Sequence, residues 1–272
     1  MYTTHFVTNA DLQTAYYDIG KGEPLLLVHG FTGSKLDFLN QLAWFSEHSR
    51  LIAYDQRGHG ESTNRGPYSL SQLATDLVSL LDTLEIPTCH ILGHSLGGMV
   101  VLRAILAHPD RFKSLLLMDT APGAMGLFDE KTRDRLNNMV TKDGCQALVA
   151  SMRGQPQPPS VQRGIDFLGE HEHWRRIRVK LEQMDPKAFA DLGGELANQA
   201  EVTAALDQIS IPTTVIVGAD DSPFLNPSRL MTERIMDAEL VVIAHAAHSP
   251  QYENPEDWRA AVDAHLARAR SL

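Results

Sequence analysis

The chain is predicted to be an α/β protein built on a mostly parallel, doubly wound sheet, and three observations carry that expectation. First, Leu25-Leu26-Leu27-Val28, Leu51-Ile52-Ala53-Tyr54 and Leu115-Leu116-Leu117-Met118 are continuous apolar runs, the pattern of strands buried on both faces. Second, the stretches between such runs have helical periodicity, most clearly where Leu70, Leu73, Leu77, Leu80, Leu81 and Leu84 fall on one stripe. Third, the alternation resumes near the C-terminus, with Thr213-Thr214-Val215-Ile216-Val217 and Leu240-Val241-Val242-Ile243 as further strands. Strands that alternate with helices pair in parallel, because a crossover helix returns the chain to the same end of the sheet.

Taken in order, Phe6-Val7 and the stretch from Leu12 to Ile19 alternate apolar with polar around an Asn9-Ala10-Asp11 turn. This predicts an opening antiparallel hairpin of edge strands. The leucine-striped helix opens at Ser69, with Gln72 at the spacing of a capping box. Cys89-His90-Ile91-Leu92 is a further strand, followed by an apolar helix over Met99 to Leu106. The last helix begins at Asn254-Pro255 and carries Trp258, Val262 and Leu266 on one face. Residues 123–208 break the pattern: they hold no strand-like run, several short amphipathic stretches and the Gln155-Pro156-Gln157-Pro158-Pro159 connector. The chain therefore divides into a core domain of residues 1–122 and 209–272 and a helical insertion of residues 123–208.

The composition narrows the partners. At 272 residues with 43% apolar and 21% charged side chains, the chain has the make-up of an ordinary compact protein with one large core. A formal charge of −10 argues against nucleic acid or an anionic membrane surface, which would meet net repulsion rather than counterion release. The segment opening Met1-Tyr2-Thr3-Thr4-His5-Phe6 has no basic cluster followed by an apolar run, and no stretch reaches the ~20 apolar residues of a membrane span. A cytoplasmic protein without a membrane span is expected, acting on a small, neutral or apolar molecule. Cys89 and Cys145 are too few for a disulfide framework and lie at no metal-ligand spacing. Free thiols are predicted, with Cys89 in the core.

The chemistry is concentrated at Gly93-His94-Ser95-Leu96-Gly97, which fits G-x-S-x-G. In that motif a serine sits on a tight strand-to-helix turn and the glycines let backbones cross closely. The motif alone is weak, since a chain of this length has roughly one chance in ten of a random match. Its context is specific: a strand precedes it and an apolar helix follows. A serine hydroxyl needs a base to take its proton during attack, and the base needs a carboxylate to orient it. Val217-Gly218-Ala219-Asp220-Asp221 ends one later strand, and Ile243-Ala244-His245-Ala246-Ala247-His248 ends the next. This gives the order Ser, Asp, His, with Asp220 or Asp221 as the acid and His245 or His248 as the base.

These motifs, with His29-Gly30-Phe31 after the third strand, resemble the α/β-hydrolases over nearly the whole chain. The resemblance implies the α/β-hydrolase fold: a mostly parallel, doubly wound, eight-stranded sheet with a helical cap inserted. It also implies the site. Ser95 is the nucleophile, Asp221 is the acid as the fourth residue of Gly218-Ala219-Asp220-Asp221, and His248 is the base. The backbone N–H groups of Phe31 and Leu96 form the oxyanion hole, and Phe31 is placed to wall the pocket. One departure is Ala247, which stands where glycine commonly precedes the histidine.

Other site-like features are read as structural. The loop Asp55-Gln56-Arg57-Gly58-His59-Gly60-Glu61-Ser62 resembles the family's structural loop after the fourth strand. His171-Glu172-His173 lacks a second cluster at ligand spacing and reads as a solvated helix face. His94 is expected to point away from substrate, and Cys145 has no adjacent histidine to activate it.

The insertion is expected to act as a lid. With 13 acidic and 11 basic side chains it is close to neutral, and Met125, Leu127, Phe128, Met139, Met152, Phe167, Trp174 and Met184 suit an adaptable apolar pocket. A serine at position 95 argues against epoxide hydrolases and haloalkane dehalogenases, which resemble this fold but use aspartate there. Many carbon–carbon bond hydrolases of ring-cleavage products carry tryptophan after the histidine, where this chain has Ser249. The leading expectation is a serine carboxylesterase or lactonase acting on small to medium apolar substrates through an acyl-enzyme, with no metal or organic cofactor. Carbon–carbon bond hydrolysis and non-catalytic ligand binding on a retained triad are the alternatives. The sequence leaves the oligomeric state open, a homodimer included.

Overall fold

The computed structural model describes residues 2–127 and 129–271. Among them, one sheet is formed by β1 (His5–Asn9), β2 (Leu12–Ile19), β3 (Pro24–Val28), β4 (Arg50–Tyr54), β5 (Cys89–His94), β6 (Phe112–Met118), β7 (Thr213–Gly218) and β8 (Ala238–Ile243). The strand order is β1-β2-β4-β3-β5-β6-β7-β8. β2 runs antiparallel to both β1 and β4, and every pairing from β4 to β8 is parallel. The predicted hairpin is present, turning at Ala10 with φ 50°, but of its two strands only β1 lies at an edge of the sheet. β2 lies between β1 and β4 because its Tyr16–Ile19 half continues the ladder onto Leu51–Tyr54.

The helices are α1 (Leu42–Phe45), α2 (Leu70–Thr83), α3 (Leu96–Ala107), α4 (Glu130–Asp143), α5 (Ala147–Arg153), α6 (Pro159–Leu168), α7 (Glu170–Glu182), α8 (Pro186–Asn198), α9 (Ser222–Arg234), α10 (Pro250–Glu253) and α11 (Pro255–Arg270). The continuous apolar runs feed two cores, because successive strand residues point to opposite faces. Leu26, Val28, Ile91, Leu115 and Leu117 pack with α2 and α3. Leu25, Leu27, Leu92, Leu116 and Met118 pack on the other face with Phe45 and with Trp258, Val262 and Leu266 of α11. Trp258 is fully buried and donates its indole N–H to the Met118 sulfur at 2.9 Å. Burying a side chain of this kind is worth roughly 1.5–3 kcal/mol.

Helix starts follow their caps with one difference. Ser69 accepts from the Gln72 N–H at 3.1 Å, but the reciprocal half of the box is missing. The Gln72 side chain instead donates to Asp76, whose carboxylate is gripped by Arg57 at 2.7 and 2.8 Å, and that charged partner wins over a neutral backbone N–H.

Helices α4 to α8 occupy the chain between β6 and β7, over the carboxyl ends of the strands. They are fastened to the rest by a Lys180–Asp37 ion pair of 2.5 Å, by the Tyr68 hydroxyl on Asp185 and by the Leu70 N–H on Glu195 at 3.0 Å. No helix of the described residues is long and apolar enough to cross a membrane.

Candidate active site

Ser95 links β5 to α3 with φ 54° and ψ −122°, a left-handed conformation that costs a residue with a side chain ~1–3 kcal/mol. The surroundings leave it no alternative. Its N–H donates to the Met118 carbonyl at 2.9 Å, and its carbonyl accepts from the Thr120 hydroxyl at 2.6 Å and the Gly98 N–H at 2.9 Å. Gly97 crosses β3 so closely that a Cβ would fall within 3.0 Å of the Val28 and His29 carbonyl oxygens. Only glycine fits that crossing, and it sets the angle at which α3 leaves the sheet.

The loops that carry Asp221 and His248, expected from sequence to be the acid and base loops, are built as one piece. Ala219 N–H donates to the Ile243 carbonyl at 2.9 Å and Asp220 N–H to the Ala246 carbonyl at 2.8 Å. Gly218 lies against the Ala246 and Ala247 carbonyls, which a Cβ would strike. On this platform the Ser95 hydroxyl meets His248 Nε2 at 2.9 Å, and His248 Nδ1–H donates to Asp221 Oδ2 at 2.7 Å. The His248 ring lies between Phe224, centroid 4.8 Å away, and His94, 5.0 Å away. Its side chain is still 41% exposed while Asp221 is buried. Of the alternatives left open above, Asp220 is turned outward to Arg163 at 3.1 Å, and His245 is exposed.

Two neighbours complete the local electrostatics. Burial holds His94 well below the usual histidine range, at about 3, with the nearby His248 adding to the effect. It is thus a neutral ring, whose Nε2–H donates to the His248 carbonyl at 2.7 Å; it supports the base loop. Asp119, the residue after β6, was not singled out from sequence. It is buried at φ 44° and accepts the Gly218 N–H at 2.9 Å. Burial, and then the charge of Asp221, push its carboxyl well above the usual carboxylate range. The signal was its position, a carboxylate at the carboxyl end of a buried parallel strand, where sites in such sheets collect.

Asp119, Asp221 and His248 are also the one group of three potential metal ligands among the described residues, with ligand atoms within 4.8 Å of one another. Asp119 Oδ1 accepts the Gly218 N–H and Asp221 Oδ2 the His248 Nδ1–H, while Asp119 Oδ2 is buried without a hydrogen-bond partner.

Phe31 and Leu96 flank the serine. Leu96 is the first residue of α3, so its N–H is one that a helix leaves without an internal partner. Phe31 follows Gly30, where a Cβ would come within 2.9 Å of the Ser95 Cβ. The Phe31 ring packs on Phe189 at 5.1 Å, and together they wall a narrow, mostly apolar cleft with Met125, Leu127, Leu136 and Leu196. Of the side chains expected to form a pocket, Met125 and Leu127 do so. Met184 and Trp174 are buried among the helices, Met139 packs partly buried against the core, Phe167 stacks on Tyr252, Met152 is exposed, and Phe128 lies outside the described residues. Phe189, Leu136 and Leu196 were missed, because helical periodicity does not separate a cleft wall from an interhelical contact.

The loop after β4 is tied into the fold. Asp55 accepts from Lys35 Nζ at 2.6 Å and from the backbone N–H groups of Lys35 and Glu61, and His29 accepts the Gln56 N–H at 3.0 Å. Glu172 between His171 and His173 is paired with Arg175 and Arg176. Cys89 and Cys145 are free and buried.

A serine on a strained strand–helix elbow, joined through histidine to a buried aspartate at the carboxyl ends of a mostly parallel eight-stranded sheet, defines the class as the α/β-hydrolase fold. Residues 25–262 match the model of the alpha/beta hydrolase family, and the chain belongs to that family. Among its relatives, 3-oxoadipate enol-lactonase 2 of Acinetobacter baylyi is 28% identical over 266 residues, 96% of each chain. A thermophilic esterase from Thermogutta terrifontis superposes with a TM-score of 0.84 at 27% identity, covering 98% of this chain and 99% of that one. A hydrolase from Pseudomonas aeruginosa gives a TM-score of 0.82 at 28% identity over 97% and 98% of the two chains.

Proposed function

We propose that the protein is a serine hydrolase that cleaves carboxylic esters or lactones of small to medium, largely apolar molecules through an acyl-enzyme. The observation that carries this reading is the unbroken path from the Ser95 hydroxyl through His248 to Asp221, at 2.9 and 2.7 Å. Ser95 Oγ bonds to the substrate carbonyl carbon as His248 Nε2 takes its proton, and Asp221 holds the ring in the tautomer that leaves Nε2 free to accept. The negative oxygen faces the N–H groups of Phe31 and Leu96 and the N-terminus of α3. Donors of this kind are worth roughly 3–4 kcal/mol each to the transition state. The leaving oxygen takes the proton back from His248. Water, deprotonated by the same nitrogen, then attacks the acyl carbon and releases the acid and Ser95.

The apolar cleft beside Phe31 supports an uncharged acyl or alcohol group as the part of the substrate that the helices between β6 and β7 enclose, as a lid would. The esterase and lactonase names among the relatives point to the same bond class. The test is a panel of p-nitrophenyl esters of rising chain length, with simple lactones, assayed with the parent and Ser95→Ala. Hydrolysis by the parent and its loss in the variant are expected. Activity that survives the substitution assigns the nucleophile elsewhere.

A further inference from the structure

We infer that Arg163, on α6 of the helical segment, is a positioning residue for the proposed reaction, holding the loops of His248 and Asp221 through two carboxylates. The inference rests on the serine-hydrolase reading above. The link begins at Glu253, whose side chain is only 2% exposed. Its Oε2 accepts the Ala247 N–H and its Oε1 the Ser249 N–H, both at 3.0 Å, so one carboxylate clasps the residues on either side of His248. Two neutral N–H donors do not balance a buried carboxylate. Arg163 supplies the charge, with Nε at 3.0 Å and a terminal nitrogen at 2.7 Å from Glu253 Oε2. The same terminal nitrogen lies 3.1 Å from Oδ2 of Asp220, the residue before Asp221.

One guanidinium therefore bridges the base loop and the acid loop from a third element. α6 is seated there independently by Phe167, whose ring meets Tyr252 of α10 at 6.3 Å, and the Tyr252 hydroxyl in turn donates to the Leu36 carbonyl at 3.0 Å. Removing the guanidinium leaves Glu253 buried and short of a partner, and the cheapest relief is for it to turn toward water and release Ala247 and Ser249. The His248 ring, pinned between Phe224 and His94 but 41% exposed, then keeps the His94 hydrogen bond to its carbonyl but loses the clasp on the residues either side of it. A displacement of about 1 Å at such a group can cost ~100-fold in rate. The Arg163 guanidinium is paired with Glu253 and Asp220, so holding the loops rather than binding substrate is its expected contribution.

The test compares the parent with Arg163→Met, Arg163→Lys and, as a control on the neighbouring helix, Arg175→Met, which loses only its pairing to Glu172. Steady-state constants with a p-nitrophenyl ester are read beside thermal midpoints and the rate of Ser95 phosphonylation by diethyl p-nitrophenyl phosphate. Arg163→Met is expected to lower kcat and the phosphonylation rate about 10- to 100-fold with KM within about 3-fold. Arg163→Lys, which keeps one charge but cannot reach both carboxylates, recovers part of the loss, and Arg175→Met matches the parent. An unchanged kcat, or a rise in KM alone, overturns the inference. If Arg163→Met fails to fold, Arg163→Lys decides: a kcat equal to the parent's overturns it, and a few-fold loss at parental stability supports it. Failure of the underlying reading is separate, since it would appear as activity retained by Ser95→Ala.

Discussion

Acid should destabilise this protein steeply, because buried histidines are held in the neutral form, four of them far below their usual range. His29, His59, His94 and His265 are all nearly inaccessible, and burial holds their pKa values at about 4, 3, 3 and 3. In the unfolded chain each returns to about 6.5. Below that value the unfolded state binds protons that the folded state refuses, so stability present above pH ~6.5 is lost as the pH falls toward the folded-state values. At pH 5 the loss is about 2 kcal/mol per histidine, taking 1.36 kcal/mol per unit over 1.5 units. The four together cost about 8 kcal/mol, the size of a typical domain's whole stability of ~5–15 kcal/mol. Burial outweighs the nearby carboxylates of Asp37 and Asp55, which favour the charged forms of His29 and His59. His59 Nε2 has no partner and its ring packs on His29 at 4.9 Å, so protonating both places two charges together. Urea unfolding at pH 7.5 and 5.0 measures the loss. His265→Gln isolates one contribution, because glutamine can still meet the Thr214 and Ser114 hydroxyls that His265 touches at 2.8 Å. The variant should retain about 2 kcal/mol more of its neutral-pH stability at pH 5 than the parent. Equal losses in parent and variant, or a parent indifferent to this pH change, would refute the argument.

The two adjacent aspartates should separate cleanly: Asp221→Asn is expected to lower kcat by ~10³–10⁴-fold, as the imidazole loses its orienting charge, while Asp220→Asn, which removes one of the two carboxylates that Arg163 bridges but keeps its pairing to Glu253, lowers it by less than about 10-fold. Gly218→Ala should lower both activity and stability, by ~1–3 kcal/mol in unfolding free energy, because its Cβ strikes the Ala246 and Ala247 carbonyls and pushes the base loop outward; parental kinetics in that variant would contradict the close packing. Lys35→Met leaves Asp55 buried without its cation, costing ~3–5 kcal/mol, and Asp55→Asn in the same chain should recover much of that in a thermal melt.

The strands were readable because burial on both faces leaves continuous apolar runs, and each of the three runs that opened the reading is a strand pairing in parallel in the sheet. The hairpin was readable from its alternation, but its place was not: whether β2 is an edge depends on its pairing with β4, which no local pattern encodes. Gln72 illustrates the same limit, since its capping role was lost to Asp76, a partner one turn further along the same helix that Arg57 holds in place. At the site, motif and order led to Ser95 with a pair of aspartates and a pair of histidines, the resemblance to the α/β-hydrolases selected Asp221 and His248, and the strands that carry these three side chains bring them within hydrogen-bond distance. Asp119, Glu253 and Arg163 were not, because each acts through a backbone N–H or a charge brought near by tertiary folding. The helical segment was least legible, since Met184 and Met125 look alike in sequence, yet one packs helices and the other walls the cleft.

The central claim is that the Ser95 hydroxyl is activated by His248. Incubation with diethyl p-nitrophenyl phosphate, followed by intact-mass and peptide mass spectrometry, reads this directly. The account predicts one diethylphosphoryl adduct per chain, on the peptide containing Ser95, absent in Ser95→Ala and formed far more slowly in His248→Ala. An adduct that persists in Ser95→Ala, or that forms at the parental rate without His248, would contradict it.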